Sequence, residues 1–281
     1  ASETLDFVDI ATPPDTHEVF VSAAAARGVH VLCQKPAAHD LATMRRMIDV
    51  TESSGVVLGI NENGRFQPWC RYIQRQLHDG RLGEVTSASF SSRGRWSLPY
   101  PTSDEQAFFI DMPRLIVFEL GVHFLDISRY LFGPAVSIYA VTRHVSPHVV
   151  GEDAALIVVV HATTTVTLDL SWAHHPTWMG SGLGWAEVEL SGTSASLRLT
   201  PDGSLRVVND EGTRVVTIDG DPMRDGYRAA QADFAAALQA RRDPETSARD
   251  QLATMELVFG AYESARTDAV YHVGHDVVNL A

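Results

Sequence analysis

Cysteine is scarce: Cys33 and Cys70 are two in 281 residues, and neither belongs to a C-x-x-C. That excludes a disulfide scaffold and points to inert thiols in a reducing compartment. Positive charge is also short, with 22 Lys plus Arg against 35 Asp plus Glu. A net charge of −13 repels a phosphate backbone, which excludes non-specific nucleic-acid binding. Long apolar runs are missing; the longest, Ala154 to Val160, falls far below the roughly 20 residues a bilayer requires. No basic-then-apolar leader opens the sequence, so a cytoplasmic location is expected. Neither an H-E-x-x-H nor a cysteine cluster accompanies His161, His174 and His175, and no metal site is expected. What remains is an ordinary globular mixture, 45% apolar and 20% charged, without repeats or low-complexity tracts. A chain this long buries roughly 73% of its unfolded surface and favours two domains over one.

The first third alternates strand and helix patterns. Leu5 to Ala11 is a short apolar run ended by Pro13-Pro14, which cannot donate to a ladder. An alanine-rich helix follows from Asp15 to Arg27 and stops at Gly28. Val29 to Cys33 reads as a second strand, Leu41 to Ser54 as a second helix stopped by Gly55, and Val56 to Ile60 as a third strand. The order β-α-β-α-β implies parallel strands with right-handed crossovers and ligands beyond their carboxyl ends. Thr12-Pro13-Pro14, Gln34-Lys35-Pro36 and Asn61 to Arg65 occupy those ends.

Pro68 to Asp79 reads as a helix, and after the Gly80–Gly83 turn the pattern changes to alternating strands from Val85. Met112 to Phe132 is a long apolar segment, Val136 to Ile218 is mostly strand-like, and Asp225–Arg241 and Thr246–Thr267 close as helices. The expected fold is α/β plus α+β: a partial Rossmann-type parallel sheet, then a domain built on a large open mixed or antiparallel sheet. The expected domains are 1–84 for dinucleotide binding, 85–245 for substrate and oligomerisation, and 246–281 as a C-terminal helix and tail packing back on the first.

Two places carry chemistry. Lys35 follows a buried strand directly, so its amine reaches the rim of the sheet, where a general acid/base can meet a ligand. In Glu119-Leu-Gly-Val-His123-Phe-Leu-Asp126 the i, i+4 and i+7 spacing puts two carboxylates and an imidazole on one helical face. An imidazole exchanges protons near neutral pH and a neighbouring carboxylate can fix its tautomer, so a proton-transfer centre is expected. The competing readings are a solvated surface lysine and a core histidine held by hydrogen bonds. A divalent-cation site on Glu119, His123 and Asp126 is the weaker alternative, because the accompanying lysine suits proton transfer better.

These motifs resemble the glucose-fructose oxidoreductase and inositol dehydrogenase family, written Gfo/Idh/MocA. The resemblance rests on Asp9-Ile-Ala-Thr-Pro-Pro-Asp-Thr-His17, Gly28-Val-His-Val-Leu-Cys-Gln-Lys-Pro36, Arg65-Phe-Gln-Pro68, Gly80-Arg-Leu-Gly83, Gly121-Val-His-Phe-Leu-Asp126, Arg129-Tyr-Leu-Phe-Gly133 and Gly151-Glu-Asp-Ala154. It covers nearly the whole chain. It implies an NAD- or NADP-dependent oxidoreductase acting on a sugar, polyol or related hydroxyl or carbonyl compound, and a homo-oligomer formed through the open sheet. Lys35 and His123 match the catalytic pair, and Glu119 stands where many relatives carry Asp, positioned to orient substrate and imidazole. Thr12, Pro13 and His17 match the loop beside the cofactor, Gln34 replaces the glutamate of the E-K-P motif, and Lys35 also faces the cofactor. Arg65 and Trp96 are candidates to line the substrate pocket, with Glu119 and His123.

The resemblance also implies a strand, a G-x-G-x-x-G turn and a further acidic strand upstream of Leu5, none of which the sequence contains. Roughly half of the cofactor domain is therefore expected to be missing. That motivates an alternative: a non-catalytic sugar-binding or assembly module. Gly180-Ser-Gly-Leu-Gly184 is read as a flexible loop because strands, not a strand and a helix, are expected on either side.

Overall fold

The computed structural model describes residues 5–97, 104–175 and 186–274; the Gly180–Gly184 segment lies outside them. Strand β1 (Phe7–Ile10) ends before the proline pair and a 3-10 turn at Pro14–Thr16, so helix α1 (His17–Ala25) begins later than its alanine pattern suggests. Gly28 ends the turn after it with φ +68°, open only to a residue without a Cβ penalty. Strand β2 (His30–Cys33) leads to α2 (Leu41–Ser53), started by Asp40, whose carboxylate accepts the Thr43 N–H at 2.6 Å. Strand β3 (Leu58–Ile60) completes a three-stranded parallel sheet in the order β1-β2-β3. Its carboxyl edge carries the three segments the alternation singled out: Thr12–Pro14, Gln34–Pro36 and Asn61–Arg65.

Helix α3 (Pro68–His78) leads into a nine-stranded sheet formed by β4 (Val85–Arg93), β5 (Ala135–Arg143), β6 (Ala154–His161), β7 (Thr165–Ser171), β8 (Glu187–Gly192), β9 (Ser196–Leu199), β10 (Ser204–Asn209), β11 (Gly212–Thr217) and β12 (Tyr271–His272). The order is β11-β10-β9-β8-β4-β7-β6-β5-β12. Among the described strands of this sheet only β4 and β7 pair in parallel, which makes it mixed. One face buries Phe90, Ile138, Ile157, Leu168 and Leu190 against the helices. The other is open: Leu156 is 52% exposed, and Arg93 pairs with Asp169 across strands. A cavity of about 450 Å³ on this face is bordered by Arg93, Arg143, Asp169, His174 and His175.

Between the sheets run a π turn (Val117–Gly121) continuous with α4 (Val122–Phe132), and then α5 (Pro222–Ala240) and α6 (Ala248–Thr267). Helix α6 packs on α2, α4 and β5, so it touches elements of both sheets. The segment before it extends the parallel sheet at its β3 edge: Ile60 and Thr246 exchange N–H to O and Oγ1 to O hydrogen bonds, each 2.8 Å. Gly59 in β3 lets α5 settle here, because a Cβ at this position would stand 2.7 Å from the Phe234 ring. No helix among the described residues is long and apolar enough to cross a membrane.

Candidate active site

Lys35, the one lysine of the chain, leaves the end of β2 toward the π turn. Its Nζ donates to the Glu119 carboxylate at 2.6 Å and to the Glu119 backbone oxygen at 2.9 Å. The two side chains are 16% and 7% exposed. A wide π turn is a recurrent device at functional sites, and here it is where the amine docks. The turn is held from beneath. Glu152, at the entry to β6, accepts the N–H groups of Leu115 and Val117, both at 3.1 Å, and the Tyr262 hydroxyl at 2.6 Å. Tyr262 Oη in turn accepts the Phe118 N–H. Burial pushes the Glu152 carboxyl above its ordinary value, and burial together with Glu152 pushes the Tyr262 phenol well up.

His123 lies four residues beyond Glu119 and is 8% exposed. Its Nδ1 is 2.6 Å from Oε1 of Glu62, which also accepts the Gly64 N–H at 2.7 Å. The carboxylate that holds the imidazole therefore comes from the rim after β3 and not from the same helix. Glu62 is the residue sequence reasoning missed; its one signal was an acid between two asparagines at a strand end where ligands gather. Tyr227 of α5 also reaches this place. Burial, then the charges of Glu62 and Glu119, push its phenol up. Gly226 makes this approach possible, since a Cβ there would meet the Asn63 oxygen at 3.0 Å.

Three expectations need correction. Asp126 does not share the environment of Glu119 and His123; it is fully buried and committed to Arg65, Gln251 and Thr254. Arg65 is buried and held by partners of its own. Its guanidinium spends four of five N–H groups on Asp126, Asp250 and the Glu245 carbonyl, because a buried cation must find anions or carbonyls. His17 is fully buried, and its ring nitrogens face the carbonyls of Thr12 (2.8 Å) and Ala37 (3.0 Å). It ties the loop after β1 to the segment after β2 instead of presenting a nitrogen to a ligand. Thr12 and Pro13 are exposed on that loop, Gln34 is half-buried with its Oε1 accepting the Lys35 N–H at 2.8 Å, and Trp96 is 57% exposed on the loop after β4. His161 is buried between Ser128 Oγ (2.7 Å) and the Gly133 carbonyl (2.9 Å), and burial pushes its imidazole down.

Four further polar atoms at the rim are buried without a hydrogen-bond partner: Asn61 Oδ1, Glu62 Oε2, and Oδ1 and Nδ2 of Asn63. Native proteins rarely leave such groups unsatisfied, so this tripeptide is built to meet something polar. The ensemble offers an amine, an imidazole, two carboxylates and a phenol on one edge of a parallel sheet. It is equipped to hold a hydroxyl-rich ligand and move a proton.

Comparison with known proteins agrees. The family model described as "Oxidoreductase family, NAD-binding Rossmann fold" matches residues 1–62, and the "GFO/IDH/MocA C-terminal domain" matches 70–198. A D-apiose dehydrogenase of Paraburkholderia graminis is 36% identical over 95% of this chain and 72% of its own length, and one from Rhizobium rhizogenes is 30% identical over 96% and 79%. A crystal structure of an oxidoreductase from Agrobacterium radiobacter, in complex with NAD+, L-tartaric acid and magnesium, superposes with a TM-score of 0.89 at 29% identity, covering 97% of this chain and 81% of that one. With a parallel sheet followed by a large mixed sheet, and both family segments matched in order, the chain belongs to the GFO/IDH/MocA family of NAD(P)-dependent oxidoreductases.

Proposed function

We propose that this chain oxidises a hydroxyl of a sugar or polyol, or reduces the corresponding carbonyl, with NAD or NADP, and that Lys35 and His123 handle the hydroxyl proton while Glu119 orients Lys35. The observation that carries this reading is the 2.6 Å Lys35–Glu119 pair, with His123 four residues on and at the rim where such folds bind ligands. The named activities of the relatives, toward D-apiose and, for one of Haloferax volcanii at 26% identity, D-xylose, favour a pentose-sized substrate.

The residues present suit a dinucleotide at its nicotinamide end. Asn61 and Asn63 carry unpartnered amide atoms, Gln34 keeps its amide N–H groups for a ribose hydroxyl, and the loop of Thr12 and Pro13 lies exposed beside them. Bound there, the nicotinamide supplies the hydride acceptor or donor. The chain's own task is to present the substrate hydroxyl to Lys35 Nζ and His123, keep water off the buried side, and return the proton to solvent.

The test is direct. The purified protein is titrated calorimetrically with NAD and NADP, then assayed with D-apiose, D-xylose and a polyol while reduced nicotinamide is followed. Saturable heat and substrate-dependent turnover are expected; sugar binding without dinucleotide heat would replace the dehydrogenase by a binding module. On the same reading, residues 1–84 hold the cofactor, 85–245 hold substrate, and 246–281 pack back on the first part. The open face of the nine-stranded sheet then joins copies of the chain, and sedimentation as a monomer alone would contradict that assignment.

A further inference from the structure

We propose that Glu62 is the positioning residue of His123: its Oε1 holds the Nδ1–H, so the unprotonated Nε2 is the nitrogen that accepts the substrate's hydroxyl proton, and its charge balances the imidazolium that results. The proposal deepens the dehydrogenase reading and rests on it for the substrate. In the step, the O–H bond breaks, an Nε2–H bond forms, and the imidazole gains a proton and no electrons.

Two features separate Glu62 from a carboxylate that merely fills space. It has no exposed surface, yet only Oε1 is partnered, by the Gly64 N–H and His123; Oε2 has no hydrogen-bond partner. Fully buried Asp126, three residues beyond His123, shows what a structural carboxylate receives here, with Arg65 on both oxygens and Gln251 and Thr254 added. Leaving a buried anion so poorly compensated is costly, and the proton that His123 gains repairs the deficit.

The second feature is Gly64. Its backbone is not left-handed, but a Cβ there would stand 2.9 Å from Glu62 Oε1 and 3.1 Å from Ile127 Cδ1. A hydrogen at this position is what lets the Gly64 N–H reach the carboxylate and hold it against the imidazole. A carboxylate that grips Nδ1–H fixes the tautomer and stabilises the charged ring, as in catalytic carboxylate–histidine pairs on unrelated folds.

Among the described residues, the charged and titratable groups near the ring are the following. Glu119 and Lys35 form their own pair on the π turn, Tyr227 approaches from α5, Cys70 lies buried on α3, and Arg65 neutralises Asp126. With the imidazole neutral, Lys35, Glu119 and Glu62 sum to one negative charge; a proton on His123 brings the sum to zero. Glu62 is the member of this set in contact with the ring through Nδ1.

Nitrogen-15 NMR of the histidine rings in the free protein tests this without turnover, with His123 assigned by the signal lost in His123→Asn. The parent should show the Nδ1–H tautomer. In Glu62→Gln, which keeps the shape and drops the charge, the preference for the Nδ1–H tautomer should be lost and the Nε2–H form should become populated, because an amide can donate to Nδ1 as well as accept from it. In the same variant kcat should fall about tenfold or more while KM stays within about twofold, the split expected of a residue that positions the base and does not bind substrate. Gly64→Ala, which leaves the charge but displaces it, should populate the Nε2–H tautomer and serves if Glu62→Gln does not fold. An Nε2–H tautomer in the parent, or the same tautomer populations with and without the Glu62 charge, overturns the proposal. Absence of turnover in the parent would instead overturn the dehydrogenase reading, and the ring spectra would still decide the pairing.

Discussion

Replacing Lys35 by methionine should lower kcat/KM by about 10²- to 10⁴-fold, the range general acid/base groups contribute, while the protein stays folded. Methionine fills the volume of the lysine stem and removes the amine that sits 2.6 Å from Glu119. Because the lysine side chain keeps 16% of its surface, the Glu119 carboxylate left behind can be rehydrated through the same opening, so the stability loss stays modest. Lys35→Arg is the sharper variant. A guanidinium retains the ion pair but does not release a proton, so if Lys35 moves a proton, arginine should fail nearly as completely as methionine. Retention of about a tenth of the parent rate by the arginine variant would reduce Lys35 to a counter-ion for Glu119. Circular dichroism and dinucleotide titration on both variants separate loss of chemistry from loss of fold. The composition sharpens this expectation: the other 21 basic side chains are all arginine, 22 Lys plus Arg less one lysine. On the proposed mechanism, the one amine side chain stands where the proton is exchanged.

That single lysine was legible in the sequence, and so was the architecture that delivers it. The β-branched runs and the stops at Gly28 and Gly55, both left-handed at φ +68° and +65°, set out β-α-β-α-β. The alternation from Val85 onward announced a second sheet. The helical spacing of Glu119 and His123 was readable too, but not what each would face. Glu119 turns to an amine 84 residues upstream, and His123 to a carboxylate 61 residues upstream. No local pattern encodes such partners, because a buried acid looks in sequence like any surface acid. The π turn was equally hidden: Val117 to Gly121 has the apolar content of an ordinary helix, and the extra residue per turn is imposed by Glu152 and Tyr262 gripping its amides from elsewhere in the chain.

Arg65→Met should destabilise the fold by about 3–5 kcal/mol, the cost of stripping one partner from a buried ion pair, and this loss should fade in acid. Asp126 is fully buried and burial alone would raise its pKa; Arg65, with Gln251 and Arg129 helping, wins and holds the carboxyl below its ordinary value. A depressed carboxyl contributes stability above its unfolded pKa of about 3.9 and loses it as pH falls through the folded value. Without Arg65 the desolvation is unopposed, Asp126 folds most easily protonated, and the variant loses most at neutral pH. Denaturant unfolding of parent and variant should therefore differ most near pH 7 and the gap should narrow as pH falls below about 4, the ordinary carboxylate value, and a constant gap would exclude this account. Adding Asp126→Asn to Arg65→Met should recover part of the loss, the coupling a double-mutant cycle isolates. The pair also bears on the chemistry. Arg65–Asp126 and Glu62–His123 each join residues 61 apart, and the second lies three residues before the first on both segments. The buried ion pair is thus a clamp in register with the proposed proton-transfer pair, joining the rim after β3 to α4. Loosening it should lengthen the Glu62–His123 contact and lower kcat even at temperatures where the variant is fully folded.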